Sequence, residues 1–502
     1  MPVRPPTKDD LRELGSDLFL DLTAEELEAL QELIVDKLDS YESIRSSRPK
    51  SSFGGTEPRL RSSGVRATDN PHHAWVTRCI VEGDEDGDLE GWDIGIKDNI
   101  CVAGVEMTCG SNVVEGYVPN VDATVVTRLL EAGADVVGKT NMDDMAITRT
   151  GHSAFGTITN PRDDDYLAGG SSGGSAVAVV EDEVDVAIGS DQGGSVRIPA
   201  ALCGIVGHKP TYGLVPYTGC VGLEHTIDHP GPMASDVETA ARTLSAIAGS
   251  NERHLRRPST VPVEEYEEAL DGDVSQLSIG VLEEGFGKSD GDPAVDEQVL
   301  EAIDRLEDEV ASVEEVSVPL HLEGTDIHSV CTNEGLVGAL SGQGVGHGWK
   351  AWYNTPWVES FGKFRRAQSD DFSAMFKLSL LIGAYTGRRY HSRFYAAGMN
   401  LLVELAQRYD EALETYDVLV MPTTSVTAPE HDPDMDDFDR LREVSVPSNT
   451  APFNRTGHPA LSVPAGTVDG LPVGLMIVGS RFDDATVLNA GYALEQVRLD
   501  GG

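Results

Sequence analysis

The chain has 502 residues, 40% of them hydrophobic, with 84 acidic against 38 basic side chains and a formal net charge of −46. Length alone suggests about three domains, and the charge argues against a nucleic-acid binder, whose phosphate affinity comes from Lys and Arg. No stretch approaches the roughly 20 apolar residues of a membrane helix, and the start, MPVRPPTKDDLRELGSDLFLD, lacks the basic-then-apolar layout of a secretory signal.

In chain order, residues 1 to about 45 predict helix. Thr23 with Glu26 forms a capping box, and Leu27, Leu30, Ile34 and Leu38 recur at helical spacing. SSRPKSSFGGTEPRLRSSG (46–64) predicts a linker. Short apolar runs then alternate with helical segments. WDIGIKD (92–98) predicts a strand entering a loop, TVVTRLLEAGADVVGKTN (124–141) helix, glycine stop and strand, VDVAIGSD (184–191) strand then loop, and VLVMPTT (418–424) a buried strand. This alternation predicts an α/β fold with a large mixed sheet surrounded by helices, as one domain over 75–498 after a helical segment and linker at 1–64. Acidic runs at 82–90, 181–185 and 431–439 are dispersed, a whole-surface property that fits a high-salt cytoplasm, where screening makes self-repulsion tolerable. The six cysteines form no CxxC pair, so neither a zinc site nor a disulfide framework is expected, and Cys203 in AALCGIVG reads as a core thiol.

Two glycine-rich stretches carry serines: AGGSSGGSA (168–176) and DQGGSVRIP (191–199). Ser195 follows the predicted strand, at the carboxyl edge where α/β active sites form. Gly193 and Gly194 allow backbone N–H groups to converge on one oxygen, an oxyanion hole beside a serine hydroxyl. That hydroxyl needs a base. His208 and His225 keep a Ser-His-Asp arrangement open, although Ser195 is not in a G-x-S-x-G elbow. The other solution is a relay through Ser171 to a neutral lysine, whose pKa of ~10.4 must fall by about 2–3 units through burial. Lys97 follows an apolar strand and suits this role; spacing alone does not separate it from Lys139 or Lys209.

KDN (97–99), GGSSGGSA (169–176), GSDQGGSVRIPAALCGIVGHKPTYG (189–213) and TGHPALSVP (456–464) occur in this order, with 24 residues from Ser171 to Ser195. Together they resemble the amidase signature family over essentially all of 75–498. GLVPYTGCVGLEHTIDHPGPM (213–233) and the helical N-terminus resemble the stand-alone amidases associated with nitrile metabolism. The resemblance implies Ser195 as the acyl-forming nucleophile, Ser171 as a bridging serine on a cis peptide and Lys97 as general base. It implies the backbone N–H groups of Gln192, Gly193, Gly194 and Ser195 as the oxyanion hole. The implied reaction is hydrolysis of a small carboxylic acid amide to carboxylate and ammonia. No metal or organic cofactor is implied, nor a nucleic-acid or membrane partner; a homodimer is left open.

The rival within the family is the glutaminase subunit of a tRNA-dependent amidotransferase. That branch usually reads GLKPTYGRVS where this chain has GHKPTYGLVP, which favours a free amidase. A non-catalytic scaffold is the rival of another class, opposed by the presence of all three matched residues. Asp98 and Asn99 are expected to organise the turn or hydrogen-bond the site, Arg197 to pair structurally with a carboxylate, and His208, His225 and His229 to be structural or pocket-lining rather than bases. Asn449, Thr450 and His458 are expected as pocket wall, and AWYNTPW (351–357) as a pocket edge or a satellite core cluster.

Overall fold

The computed structural model describes residues 3–47, 60–251, 261–347 and 352–500. Chain contacts divide it into two compact units, residues 1–55 and 56–502. The first unit holds helices Lys8–Asp17 and Ala24–Ser46, which pack on each other. Where one helical segment was expected, Phe19 adopts φ +59° and breaks the pattern in two. The Thr23–Glu26 capping box forms, and Thr7 with Asp10 forms a second. Of the predicted stripe, Leu27 is buried, Ile34 and Leu38 are partly covered and Leu30 is exposed.

Most of the expected linker, residues 48–59, lies outside the described residues. Its last part is not a linker. Ser62 N donates to Ile80 O at 2.9 Å, Arg61 pairs with Asp122, and Val65–Arg66 adds an edge strand to the main sheet.

Among the described residues twelve strands form that sheet. Across it lie Val65–Arg66, Trp75–Val81, Asp135–Thr140, Asp93–Lys97, Val186–Asp191, His229–Ala234, Val206–Lys209, Ala460–Val468, Leu471–Gly479, Val418–Pro422, Ser278–Leu282 and Ser312–Val316. Both faces are covered by helices, so central strands such as Val186–Asp191 and Leu471–Gly479 are buried at every position and read as continuous apolar runs. Side chains still alternate between faces. Val186 and Ile188 join the large cluster with Val237 and Leu244, whereas Ala187 faces Ala176 and Val177 of the helix Gly173–Val180.

One register relation positions the site. Asp93–Lys97 runs parallel to Val186–Asp191, with Ile96 opposite Ile188. Lys97 and the turn that follows Asp191 therefore emerge at the same sheet edge. The helix Gly173–Val180 crosses these strands and brings its N-terminal loop, with Ser171, to that edge. The crossing is close because Gly174 has no side chain: a Cβ there would stand 2.3 Å from Ala74 O and 2.5 Å from Asn141 O. Gly174→Ala is expected to lower the thermal unfolding midpoint, because the ~1 kcal/mol that alanine gains in a helix is outweighed by overpacking of about 1–3 kcal/mol or more against backbone that cannot yield. An unchanged or raised midpoint would contradict this packing.

Candidate active site

Lys97 is fully buried at the end of its strand. Its Nζ lies 2.9 Å from Ser171 Oγ and 3.1 Å from Ser190 O. Among the described residues no carboxylate comes within ion-pair distance of it. Burial lowers its pKa to about 7, against the opposing pull of Asp143 and Asp191. Ser171 stands at the N-terminal end of a helix, whose partial positive charge also disfavours an ammonium. The Gly170–Ser171 peptide is cis.

The rival lysines are elsewhere engaged. Lys139 forms a buried ion pair with Asp98 at 3.1 Å. Lys209 is also lowered to about 7 by burial, but its Nζ donates to Pro210 O at 3.0 Å and meets neither serine. Titration alone does not separate Lys97 from Lys209; what differs is that Lys97 contacts Ser171 and Lys209 does not.

The turn carrying Ser195 is built around Asp191. Its carboxylate accepts from Gly194 N at 2.6 Å and Val196 N at 3.2 Å, and pairs with Arg197 through Nε at 3.0 Å and Nη2 at 3.1 Å. Asn454 donates to the Asp191 carbonyl at 2.9 Å and accepts from Arg197 Nη2 at 2.7 Å. Burial by itself would raise the Asp191 carboxyl; the Arg197 guanidinium and these donors hold it well below the usual carboxylate range. Arg197 thus has the structural role expected of it.

Gly194 departs from expectation. Its N–H is committed to Asp191, so it is not a free oxyanion donor; the glycine is required instead for φ +123° and for space, since a Cβ would stand 2.1 Å from Thr450 Oγ1. The N–H groups of Gln192, Gly193 and Ser195 take no acceptor among the described residues. The Gln192 side chain donates to Tyr217 Oη at 3.1 Å. Ser172 N donates to Ser195 O at 3.1 Å and so ties the two glycine-rich loops together. The Ser171 and Ser195 hydroxyls form no hydrogen bond to each other here; such links commonly tighten only with substrate in place.

The histidines singled out in the sequence have hydrogen-bond partners other than Ser195. His208 Nε2 lies 3.1 Å from Asp484, His225 Nε2 lies 2.6 Å from Val345 O, His229 Nδ1 lies 2.7 Å from Ile227 O, and His458 Nε2 lies 3.1 Å from Asp410. Asn449 is structural, donating to Gly285 O and Pro422 O, while Thr450 Oγ1 donates to Gly193 O at 2.7 Å and backs the turn. Asp98 accepts from Thr108 and Lys139, and Asn99 donates to Ser190 Oγ at 3.0 Å. Cys203 is a buried core thiol, pushed up to about 12 by burial. Of the 351–357 stretch, residue 351 lies outside the described residues; Trp357 is buried in a stack with Phe361 and edge-on to Tyr117, while Trp352 and Tyr353 border a small second cavity.

A cleft of about 360 Å³ opens over Gln192, Gly193 and Ser195. Its walls include Arg149, His328, Leu378 and Ile382, none of which the sequence pointed to. They carry no local motif and reach the cleft through long-range packing.

The family model described as Amidase matches residues 73–488. The chain belongs to the amidase signature family. Its members hydrolyse amide C–N bonds, and the large mixed sheet wrapped by helices is the fold of the solved amidase-signature enzymes. A glutamyl-tRNA(Gln) amidotransferase subunit from Haloarcula marismortui is 41% identical over 428 residues, covering 84% of this chain and 99% of that protein. An enantioselective amidase from Rhodococcus rhodochrous is 39% identical over 500 residues, covering 97% and 95%. The solved glutamyl-tRNA(Gln) amidotransferase subunit of Thermotoga maritima superposes with a TM-score of 0.69 at 33% identity, covering 86% of each chain.

The Asp191–Arg197 pair yields a direct test. Arg197→Met leaves a buried carboxylate without its cation and is expected to cost about 3–5 kcal/mol of stability, read as a fall in the denaturation midpoint; a change within error would show that the pair does not hold the turn.

Proposed function

We propose that this amidase cleaves a primary amide through an acyl-enzyme on Ser195, with Lys97 and Ser171 as its proton relay. The observation that carries this reading is the contact of a buried, weakly basic Lys97 with Ser171. Neutral Lys97 takes a proton through Ser171 as Ser195 Oγ attacks the amide carbon. The oxyanion is met by the N–H groups of Gln192, Gly193 and Ser195, with Gly194 holding the turn rather than donating. The relay returns the proton to the departing nitrogen, ammonia leaves, and water hydrolyses the acyl-serine. A cytoplasmic location belongs with this reading; among the described residues no helix is long and apolar enough to cross a membrane.

For the substrate, the relatives favour the glutaminase reading over the free small amide expected from the sequence. Most of the similar curated proteins are named as glutamyl-tRNA(Gln) amidotransferase subunits. That reading makes glutamine the ammonia donor, and it removes the support for excluding a tRNA-bearing partner drawn from charge alone. One observation favours the second reading, a free-standing amidase. The match to the Rhodococcus amidase spans 97% of the chain, enough to include most of the N-terminal helical unit, against 84% for the Haloarcula protein. Ammonia release by the isolated chain, in molar salt, from glutamine and from aliphatic and aromatic amides distinguishes them. Turnover of simple amides without partners supports the free amidase, and turnover confined to glutamine supports the amidotransferase glutaminase.

Under either reading, Ser195→Ala and Lys97→Ala are expected to reduce kcat by about 10³-fold or more, and a sulfonyl fluoride is expected to label Ser195 in the wild type. The kcat/KM of the wild type is expected to rise with pH as Lys97 loses its proton, through an ionisation near its value of about 7, and then to level. A flat profile between about pH 6 and 8, or normal turnover by Lys97→Ala, would remove Lys97 as the base.

A further inference from the structure

Arg149 lies in the wall of the cleft above Ser195. Its Nη2 is 3.6 Å from where a Cβ on Gly193 would stand, so the guanidinium sits beside the oxyanion turn. Among the described residues it forms no ion pair; its only hydrogen bond there is a long one, from Nη1 to Ser448 Oγ at 3.4 Å. Lys288 donates to Ser448 O at 3.3 Å, and among the described residues it also lacks a carboxylate partner. Asp191, whose charge acts on Arg149, is paired with Arg197. At the cleft mouth, Asp437 is paired with His152, whose other ring nitrogen faces Arg440. His328, against Gly193, is pushed well below its ordinary value by burial and then by Arg455 and Arg149, so it adds no charge of its own.

This arrangement is unusual for the chain that holds it. With 84 acidic side chains against 38 basic, a carboxylate partner is the easiest group to supply. A guanidinium does not lose its proton, and it costs free energy to withdraw from water unless an anion meets it. A planar fork of donors facing an open cleft matches a carboxylate, which it binds bidentately.

We infer that Arg149 is the anchor for a carboxylate on the acyl side of the substrate, so that the preferred substrates are monoamides of short dicarboxylic acids. Two or three methylenes between the two carbonyl carbons span roughly 4–5 Å, which suits a guanidinium beside the oxyanion turn. Glutamine is the 2-amino member of this class. The inference rests on the amidase reading of Ser195 and narrows its substrate; it holds whether the enzyme works alone or within an amidotransferase.

The test uses the full chain in molar salt. Ammonia release is measured from succinamate and glutaramate against their neutral counterparts butyramide and pentanamide, with L-glutamine as a further arm. For wild type, kcat/KM is expected to favour the carboxylate-bearing amide by at least about tenfold. In Arg149→Met that ratio is expected to fall by about tenfold or more, mainly through KM, with Arg149→Lys in between because it keeps the charge and loses the fork. A wild-type ratio near one, or a ratio that Arg149→Met leaves unchanged, overturns the inference. Should neither these amides nor the aromatic amides turn over, the amidase reading itself fails, and Arg149 is judged by binding alone. Succinate is then expected to raise the melting temperature of wild type more than butyrate does, and to lose that advantage in Arg149→Met; equal shifts overturn the inference.

Discussion

Lys97 is a fully buried amine with no counter-ion among the described residues. Desolvation disfavours its ammonium form more than the distant carboxylates of Asp143 and Asp191 favour it, and the balance sits near neutrality. A neutral amine offers two hydrogens and one lone pair, and the two contacts available, Ser190 O and Ser171 Oγ, suit that inventory better than an ammonium, which would demand three acceptors. The surrounding fold can be understood as what keeps this amine dry and in place. Parallel pairing sets Lys97 beside Ser190, and the glycine-lined crossing of Gly173–Val180 lowers Ser171 onto it.

The second glycine-rich loop solves a different problem, the placing of Ser195 on a turn rigid enough to hold several N–H groups in one direction. Here the charge is paired rather than avoided. Asp191 caps the turn from inside, Arg197 neutralises it, and Asn454 closes the network from a helix more than 250 residues away in sequence. A buried ion pair of this sort adds little net stability over apolar packing, but breaking it is costly, which favours a single geometry for the loop. The strand end at Lys97 and the turn after Asp191 use opposite electrostatic devices within one site. Among the described residues Lys97 is left without a partner charge, whereas the Asp191 carboxylate is compensated by Arg197 and shapes its turn. Arg149 is a third case, a cation whose compensation is left to whatever enters the cleft.

The strands at 92–98, 135–140, 184–191 and 418–424 were legible because each is a short apolar run bounded by glycine or a polar turn. Lys97, Ser171 and Ser195 could be nominated from the sequence because each lies in a local motif, and the resemblance joined motifs that spacing could not; the structure places Lys97 against Ser171. Choosing Lys97 over Lys209 was beyond sequence physics, since both lysines end buried strands and both are depressed by the same desolvation. The Gly194 assignment failed for a related reason. Glycine-rich backbone announces converging N–H groups but not which of them a neighbouring carboxylate will claim, and Asp191 claims that of Gly194. Arg149, His328, Leu378 and Ile382 were not legible at all. They meet only when segments far apart in sequence pack over the sheet edge, and no periodicity records that contact. The break at Phe19 is a local left-handed backbone conformation and the early end of the linker is a pairing with the sheet edge, and composition records neither.

The most direct measurement of the central claim is the proton affinity of Lys97 itself. Lysine labelled at Cε and Nζ, observed by heteronuclear NMR across a pH titration and assigned by comparison with a Lys97→Met protein, reports that amine alone. A midpoint near 7, well below the ~10.4 of an exposed lysine, is the predicted result; a midpoint near the exposed value would mean that the amine beside Ser171 is an ammonium at neutral pH and has no basicity to lend.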